Sequence, residues 1–250
     1  MQSEYWGPPL ICLFILVVYY GVRFYLNKKR LQLVPWMIYG LEGNGPHVVS
    51  FVLTHPNDEA YYFSPTLEML GDFRQQYSSV DVHALVLSKG NYSGEGDSRV
   101  SEMQTICNKY KMQCTILDEP DMQMDTPTWD KDRIAELVQK FLEKNSSKVV
   151  ITFDEHGVNS DSHRISAHDA VMAVKEKISD LRVWMLASFG SASANFPLFA
   201  YLEAIFAKTI ACVHSFGPVY QNVKIHESES SSGFKLFFNS YGYVNIFKRL

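Results

Sequence analysis

Apolar runs of strand length alternate with helix-length amphipathic stretches along most of the chain. "HVVSFVLTH" (47–55), "VDVHALVLS" (80–88), "QCTILDE" (113–119), "KVVITFDEH" (148–156) and "RVWMLAS" (182–188) read as five strands. Between them, Glu59 to Tyr77, Arg99 to Lys111, Asp130 to Lys144 and Ser166 to Leu181 read as helices, the third capped near Thr128 or Asp130. Strands apolar on both faces and separated by helices predict an α/β fold, a mostly parallel sheet covered by helices. "ESESSSG" (227–233) reads as an exposed loop.

The N-terminus breaks this rhythm. "YWGPPLICLFILVVYYGV" runs from Tyr5 to Val22 without a charge and is just long enough to cross a bilayer. Aromatic residues stand near both ends, and Pro8 and Pro9 argue against an ordinary core helix. A secretory signal would have a basic start and a small-residue cleavage pattern, and neither is present. Bases follow the apolar run instead, at Arg23 and in "NKKR" (27–30), which predicts a single-pass anchor with the folded part on the cytosolic side. The expected organisation is an anchor with its basic flank over 1–30, a juxtamembrane link over 31–45 and one folded domain over 46–250.

Charge and cysteine content narrow the function classes. A formal net charge of −4, with no long basic stripe, argues against general nucleic-acid binding. The four cysteines, Cys12, Cys107, Cys114 and Cys212, show no paired spacing. They read as reduced thiols packed as small hydrophobes, in keeping with a cytosolic domain. That placement leaves the sequons at Asn91 and Asn145 unused.

In sheets of this kind, ligands bind beyond the carboxyl ends of the strands. Three polar segments fall there: "THPNDE", "SKGNYSGEGDSR" and "DEHGVNSDSHR". In the first, His55 and Asp58 stand three apart across a strand-to-helix turn. An imidazole and a carboxylate so placed suit zinc or another divalent cation, and hydrolysis would need a third ligand and a base for the metal-bound water. The plainer alternative is a histidine satisfied at a strand end and an acid at a helix N-terminus.

"THPNDEAYYFSPTLEML" resembles the H-P-D-D-E segment of the N-acetylglucosaminyl-phosphatidylinositol de-N-acetylases, which belong to the LmbE-like metal-dependent deacetylases. The resemblance continues through "LSKGNYSGEGDSRVSEM", Trp129–Asp130 and "VVITFDEHGVNSDSHRISAHDAV", covering most of residues 46 to 175. It implies a Rossmann-like sheet and a zinc-activated water that removes acetate from a glycolipid. That glycolipid is N-acetylglucosaminyl-phosphatidylinositol, an early intermediate of glycosylphosphatidylinositol (GPI) anchor assembly at the endoplasmic reticulum membrane.

The resemblance places His55 and Asp58 at metal positions and Asn57 at the general-base position. An amide has no useful proton affinity, so Asn57 can only orient a water. In the second motif Asp161 stands where the family has an oxyanion-assisting histidine. Arg164 stands where it has the third metal ligand, and a guanidinium coordinates no zinc. His163 is an alternative ligand one residue early. Asp161 is an alternative base or ligand, and Asp154, at the end of the fourth strand, is another candidate. Arg99 is expected either to bind the substrate phosphate or to form a surface ion pair. These departures leave two expectations, an altered deacetylase and a family member that binds the glycolipid or a partner without turnover. The C-terminal "FKLFFNSYGYVNIFKRL" (234–250) reads as a closing strand and helix of the sheet, or as a segment at the membrane interface.

Overall fold

The computed structural model describes residues 7–39, 47–76, 80–91, 94–207, 211–213, 216–229 and 239–250. Tyr77, the end of the expected first helix, and most of the 227–238 stretch lie outside the described residues.

A long helix, α1 (Gly7–Tyr39), precedes the sheet. There follow β1 (His47–Leu53), α2 (Asp58–Tyr62), α3 (Ser64–Gln76), β2 (Val80–Val86), α4 (Gly96–Lys109) and β3 (Gln113–Ile116). The second half contains α5 (Lys131–Lys144), β4 (Val149–Phe153), the single turn α6 (Gly157–Ser160), α7 (Ser162–Lys177) and β5 (Arg182–Leu186). It closes with α8 (Ser191–Asn195), α9 (Pro197–Phe206), β6 (Ala211–Val213), α10 (Phe216–Ile225) and β7 (Val244–Arg249).

The sheet order is β3-β2-β1-β4-β5-β7-β6. β1 to β5 run parallel, with His47 opposite Val80 and Val49 opposite Val149. β7 joins antiparallel to β5, and β6 antiparallel to β7. The chain winds outward to β3 and then returns to place β4 beside β1. That reversal opens a crevice at the carboxyl ends of β1 and β4. β7 is the closing strand expected near the C-terminus.

Strand alternation builds the core on both faces. Phe51 and Leu53 join one cluster with Phe63, Leu67, Ile151, Phe153 and Trp184. Val52 joins the other with Leu85, Ile134, Val150, Val171 and Val183. A strand buried on both faces reads as a continuous apolar run, which is why β1 and β4 were legible.

Several boundaries differ from expectation. The first helix is split at Phe63, two residues before Pro65, which has no N–H to continue the ladder of α2 and sits instead in the first turn of α3. α7 begins four residues earlier than Ser166, because Asp161 caps it and accepts from the N–H groups of His163 and Arg164, both at 3.1 Å. Asp130 caps α5 as expected.

One expectation is overturned. Cys107, near the end of α4, and Cys114, in β3, form a disulfide. The Met112 N–H donates to the Cys107 carbonyl at 2.8 Å, a turn that returns the chain along its own path and brings the two thiols together. The close approach is tertiary and left no spacing signal in the sequence.

α1 contains one stretch long and apolar enough to cross a membrane, Pro8–Leu26, with mean hydropathy 1.9. Its outer residues, among them Leu10, Leu13, Phe14 and Val17, are exposed. The helix continues through the basic flank to Tyr39, and Leu26, Met37 and Ile38 are buried in the domain core.

Candidate active site at the β1–β4 crevice

β1 ends at Leu53, and the next residues turn sharply. Asn57 has φ 96°, the left-handed region that asparagine tolerates better than most residues. Its side chain makes no capping hydrogen bond, and its N–H donates to Glu59 at 3.0 Å. The turn buries Asp58 completely.

Asp58 is saturated. Its Oδ2 accepts from the Thr54 N–H (2.9 Å), the Thr54 hydroxyl (2.6 Å) and the His55 N–H (3.1 Å). Its Oδ1 accepts from Arg164 Nε (3.1 Å) and Nη2 (3.0 Å). A carboxylate offers about four lone-pair sites, and five donors are directed at them. Burial alone would push the Asp58 carboxyl up. Arg164, His55 and the Thr54 donors more than offset it and hold the group below the usual carboxylate range.

Arg164 is enclosed as well. Its guanidinium lies 4.4 Å from the Tyr62 ring centre and 5.4 Å from that of Phe153. Burial works against its charge, but Asp58, Tyr62 and Asp161 keep it firmly protonated. The guanidinium rests on two aromatic faces, donates twice to Asp58 and has Asp161 Oδ2 3.4 Å from Nη1.

The two histidines form a second pair. His55 Nε2 lies 3.0 Å from His163 Nδ1, and His163 Nε2 lies 2.6 Å from the Thr126 carbonyl. A carbonyl only accepts, so His163 carries its proton on Nε2. With both rings neutral, His163 Nδ1 then accepts from His55 Nε2–H, and His55 Nδ1 is left as a bare lone pair. That atom is buried and has no partner among the described residues. Trp129 stacks on His163, with ring centres 4.2 Å apart and planes 8° apart. Burial, with His163, Arg164 and Arg99 nearby, outweighs Asp58 and lowers the His55 pKa to about 4.

The second-motif loop is strained. Gly157, Val158, Asn159 and Ser160 have φ of 56°, 50°, 62° and 61°. Left-handed residues cost about 1–2 kcal/mol each unless glycine, and Val158 is β-branched. At Gly157 the glycine is required twice over, since an added Cβ would also meet Ile165 N at 2.9 Å. The strained turn delivers the Asp161 cap and, one helical step later, Arg164.

His55, Asp58, Asp161, His163 and Arg164 thus lie together at the crevice. Asp154 is committed elsewhere: it accepts from the Ser188 N–H (2.7 Å) and from Lys248 (3.0 Å). Arg99 is buried, with Nη2 donating to the Pro56 carbonyl at 3.1 Å and Nη1 to the Gly90 carbonyl at 2.5 Å, so it braces two loops. Its burial corrects the surface position considered for it.

Sequence reasoning missed three contributors. Thr54 directly precedes His55, and its hydroxyl was a signal for carboxylate binding. Tyr62 lies one helical turn after Asp58. His226 follows α10 and bonds the buried Glu59, and nothing local pointed to it.

The donor set does not fit a divalent metal. Asp58 has no free lone pair, His55 Nε2 is turned to His163, and a permanent cation occupies the remaining side of the carboxylate. Among the described residues no three His, Cys, Asp or Glu side chains are grouped to hold an ion.

Comparison with known proteins gives the lineage. The family model described as GlcNAc-PI de-N-acetylase matches residues 50–175, half of the chain. A Bos taurus N-acetylglucosaminyl-phosphatidylinositol de-N-acetylase is 32% identical over 173 residues, 68% of this chain and 66% of that protein. A Schizosaccharomyces pombe protein named "Probable N-acetylglucosaminyl-phosphatidylinositol de-N-acetylase" is 30% identical over 144 residues, 56% of each chain. The matches therefore span less than two thirds of either relative's length. Among solved structures, a teicoplanin-pathway deacetylase triple mutant superposes with TM-score 0.56 at 11% identity, covering 82% of this chain and 98% of that one. The zinc-inhibited form of teicoplanin deacetylase Orf2 superposes with TM-score 0.55 at 12% identity, covering 81% and 98%. These two likenesses show the fold alone. With its motif-bearing half matched and its fold shared, the chain belongs to the N-acetylglucosaminyl-phosphatidylinositol de-N-acetylase family.

Proposed function

We propose that the chain acts on N-acetylglucosaminyl-phosphatidylinositol at the endoplasmic reticulum membrane, in the de-N-acetylation step of GPI-anchor assembly. The observation that carries this reading is the convergence of both family motifs at the β1–β4 crevice of a domain joined to an apolar N-terminal helix. Residues 1–30 carry the anchor and its basic flank and 46–250 the deacetylase-type domain; of the 31–45 link, the part up to Tyr39 continues α1, and Met37 and Ile38 pack in the domain core. The partners are the glycolipid and the membrane, and nucleic acid is not among them.

The basic flank after the apolar stretch favours a cytosolic domain. The Cys107–Cys114 bond is the opposing observation, because structural disulfides are rare in the cytosol. A glycan added at Asn145 in membranes would place the domain in the lumen; an unmodified chain whose Cys107 and Cys114 alkylate in intact cells would place it in the cytosol.

The zinc or other divalent ion used by the wider family would call on His55, Asp58 and His163, and their present bonding does not accommodate it. This chain's own residues supply a fixed positive charge at Arg164, able to face a carbonyl oxygen. They supply one unclaimed proton acceptor, His55 Nδ1, and an N-cap carboxylate at Asp161. Asn57 supplies no base. Arg99 is the substrate-side cation of this reading, bracing the loops that would receive the phosphate.

A second reading is favoured by one specific observation, the Asp58–Arg164 pair. It is that the chain binds the glycolipid without hydrolysing it. Acetate release by the purified full chain from GlcNAc-phosphatidylinositol vesicles separates the two. Release lost in His55→Ala supports hydrolysis. Retention of the glycolipid without acetate supports the second reading, and neither retention nor release overturns both.

A further inference from the structure

α9 has the sequence PLFAYLEAIF, and its two faces are both apolar. Ala200, Tyr201 and Ala204 are buried. On the other side Leu198, Phe199, Leu202 and Phe206 are 44%, 48%, 39% and 81% exposed, and Phe196 just before the helix is 52% exposed. The one ionisable group of α9 apart from Tyr201, Glu203, is tied to the Ser193 hydroxyl. A helix apolar all round in a water-soluble setting would be buried; this one is half bare.

Its neighbour explains the bareness. Tyr201 meets Tyr19 of α1, hydroxyl to hydroxyl at 3.4 Å and ring to ring at 5.3 Å edge-on. Tyr19 lies inside the Pro8–Leu26 stretch, seven residues before its end. At 1.5 Å per residue it sits about 10 Å inside that end. Whatever touches Tyr19 is drawn to the same depth, and in-plane amphipathic helices sit about 5–10 Å into the headgroup–acyl boundary.

We propose that α9 and Phe196 form an in-plane membrane helix, seated among the acyl chains of the leaflet from which α1 emerges. The occupant of the bare face is lipid. A trough of about 570 Å³ opens on the same face, lined by Phe189, Ala192, Phe199, Phe206 and Ile246 and reaching Ser188. Ser188 bonds Asp154 at the end of β4. The trough on the membrane face therefore reaches towards the carboxyl end of β4, which suits a glycolipid whose chains stay in the bilayer. The inference rests on α1 as a span.

The test uses the full chain in phosphatidylcholine–phosphatidylinositol vesicles. In a Cys212→Ser background, a bimane probe goes on native Cys12 in one sample, on Cys12→Ser/Phe206→Cys in a second and on Cys12→Ser/Lys140→Cys in a third. The disulfide is kept intact, and each sample is checked for an unchanged melting temperature. Phe206 is so exposed that the variant leaves the core untouched. The Phe206→Cys probe is expected to be quenched by spin-labelled lipid and to lose iodide quenching about fivefold relative to Lys140→Cys. Iodide quenching equal to that of Lys140→Cys, with the Cys12 probe lipid-quenched, overturns the α9 proposal and leaves the span intact. If the Cys12 probe is also water-quenched, the span reading itself fails. Energy transfer between labelled copies, without lipid quenching at Phe206→Cys, would show a second chain on this face and overturn the proposal too.

Discussion

Arg164 and Asp58 lie 106 residues apart and meet through two nitrogens of one guanidinium on a single carboxylate oxygen, 3.1 and 3.0 Å away. Both are buried. Removing one partner strands the other's charge, which typically costs about 3–5 kcal/mol. Arg164→Met is expected to destabilise by that amount in urea unfolding. In Asp58→Asn/Arg164→Met the second change should cost much less than it does alone, so that the double-mutant cycle shows strong coupling.

Zinc and chelator should leave the wild-type melting temperature unchanged. Asn57→Asp/Arg164→His offers a carboxylate, an additional imidazole and no competing cation. Without metal it should be less stable than wild type, since Asp58 loses its counter-ion. Zinc at 100 times its dissociation constant should then return about 2.7 kcal/mol. Asp161 is left in place because it caps α7. A wild-type chain that purifies with stoichiometric zinc would contradict this.

Stability should fall between neutral pH and pH 4.5 through His55. Its pKa is 6.5 in the unfolded chain and about 4 when folded, so the unfolded state binds more protons across that window. The contribution is complete above pH 6.5, and about 3 kcal/mol is lost by the time pH reaches 4. Denaturant unfolding of wild type and His55→Gln at pH 7 and pH 4.5 checks this. The variant should be the less pH-sensitive of the two.

Ser160 is exposed and held at φ 61°. Ser160→Gly removes left-handed strain of about 1–2 kcal/mol and adds back unfolded-chain entropy of about 0.4–1 kcal/mol. A net gain of about 0.5–1 kcal/mol in unfolding free energy is expected. A loss would mean that the Ser160 side chain stabilises the loop.

The five parallel strands were legible because strands buried on both faces leave unbroken apolar runs. The split at Phe63 was also written in the sequence, in Ser64–Pro65, as was the Asp161 cap in the run of polar residues before α7. The departures of Asn57 and Arg164 from the motif residues expected at those positions could be read from residue type alone. What Arg164 does instead could not. Its pairing with Asp58 depends on a crevice assembled from two distant strands. The tautomer chain from Thr126 through His163 to His55 likewise needs atomic positions. The Cys107–Cys114 bond and the Glu59–His226 contact are tertiary in the same sense.

α1 does more than offer a stretch apolar enough to cross a membrane. From Leu26 to Tyr39 it runs on as helix for about 20 Å, and Leu26, Met37 and Ile38 belong to the same core as Phe51 and Trp184. A chain cut after residue 30 would lose Leu26 from that core as well as the apolar stretch, so a shortened soluble form should fold poorly. With α1 as a span, as proposed above, the crevice would keep one orientation towards the bilayer, and its encounters with lipid would become a search in two dimensions, in which diffusion along the surface replaces tumbling in solution.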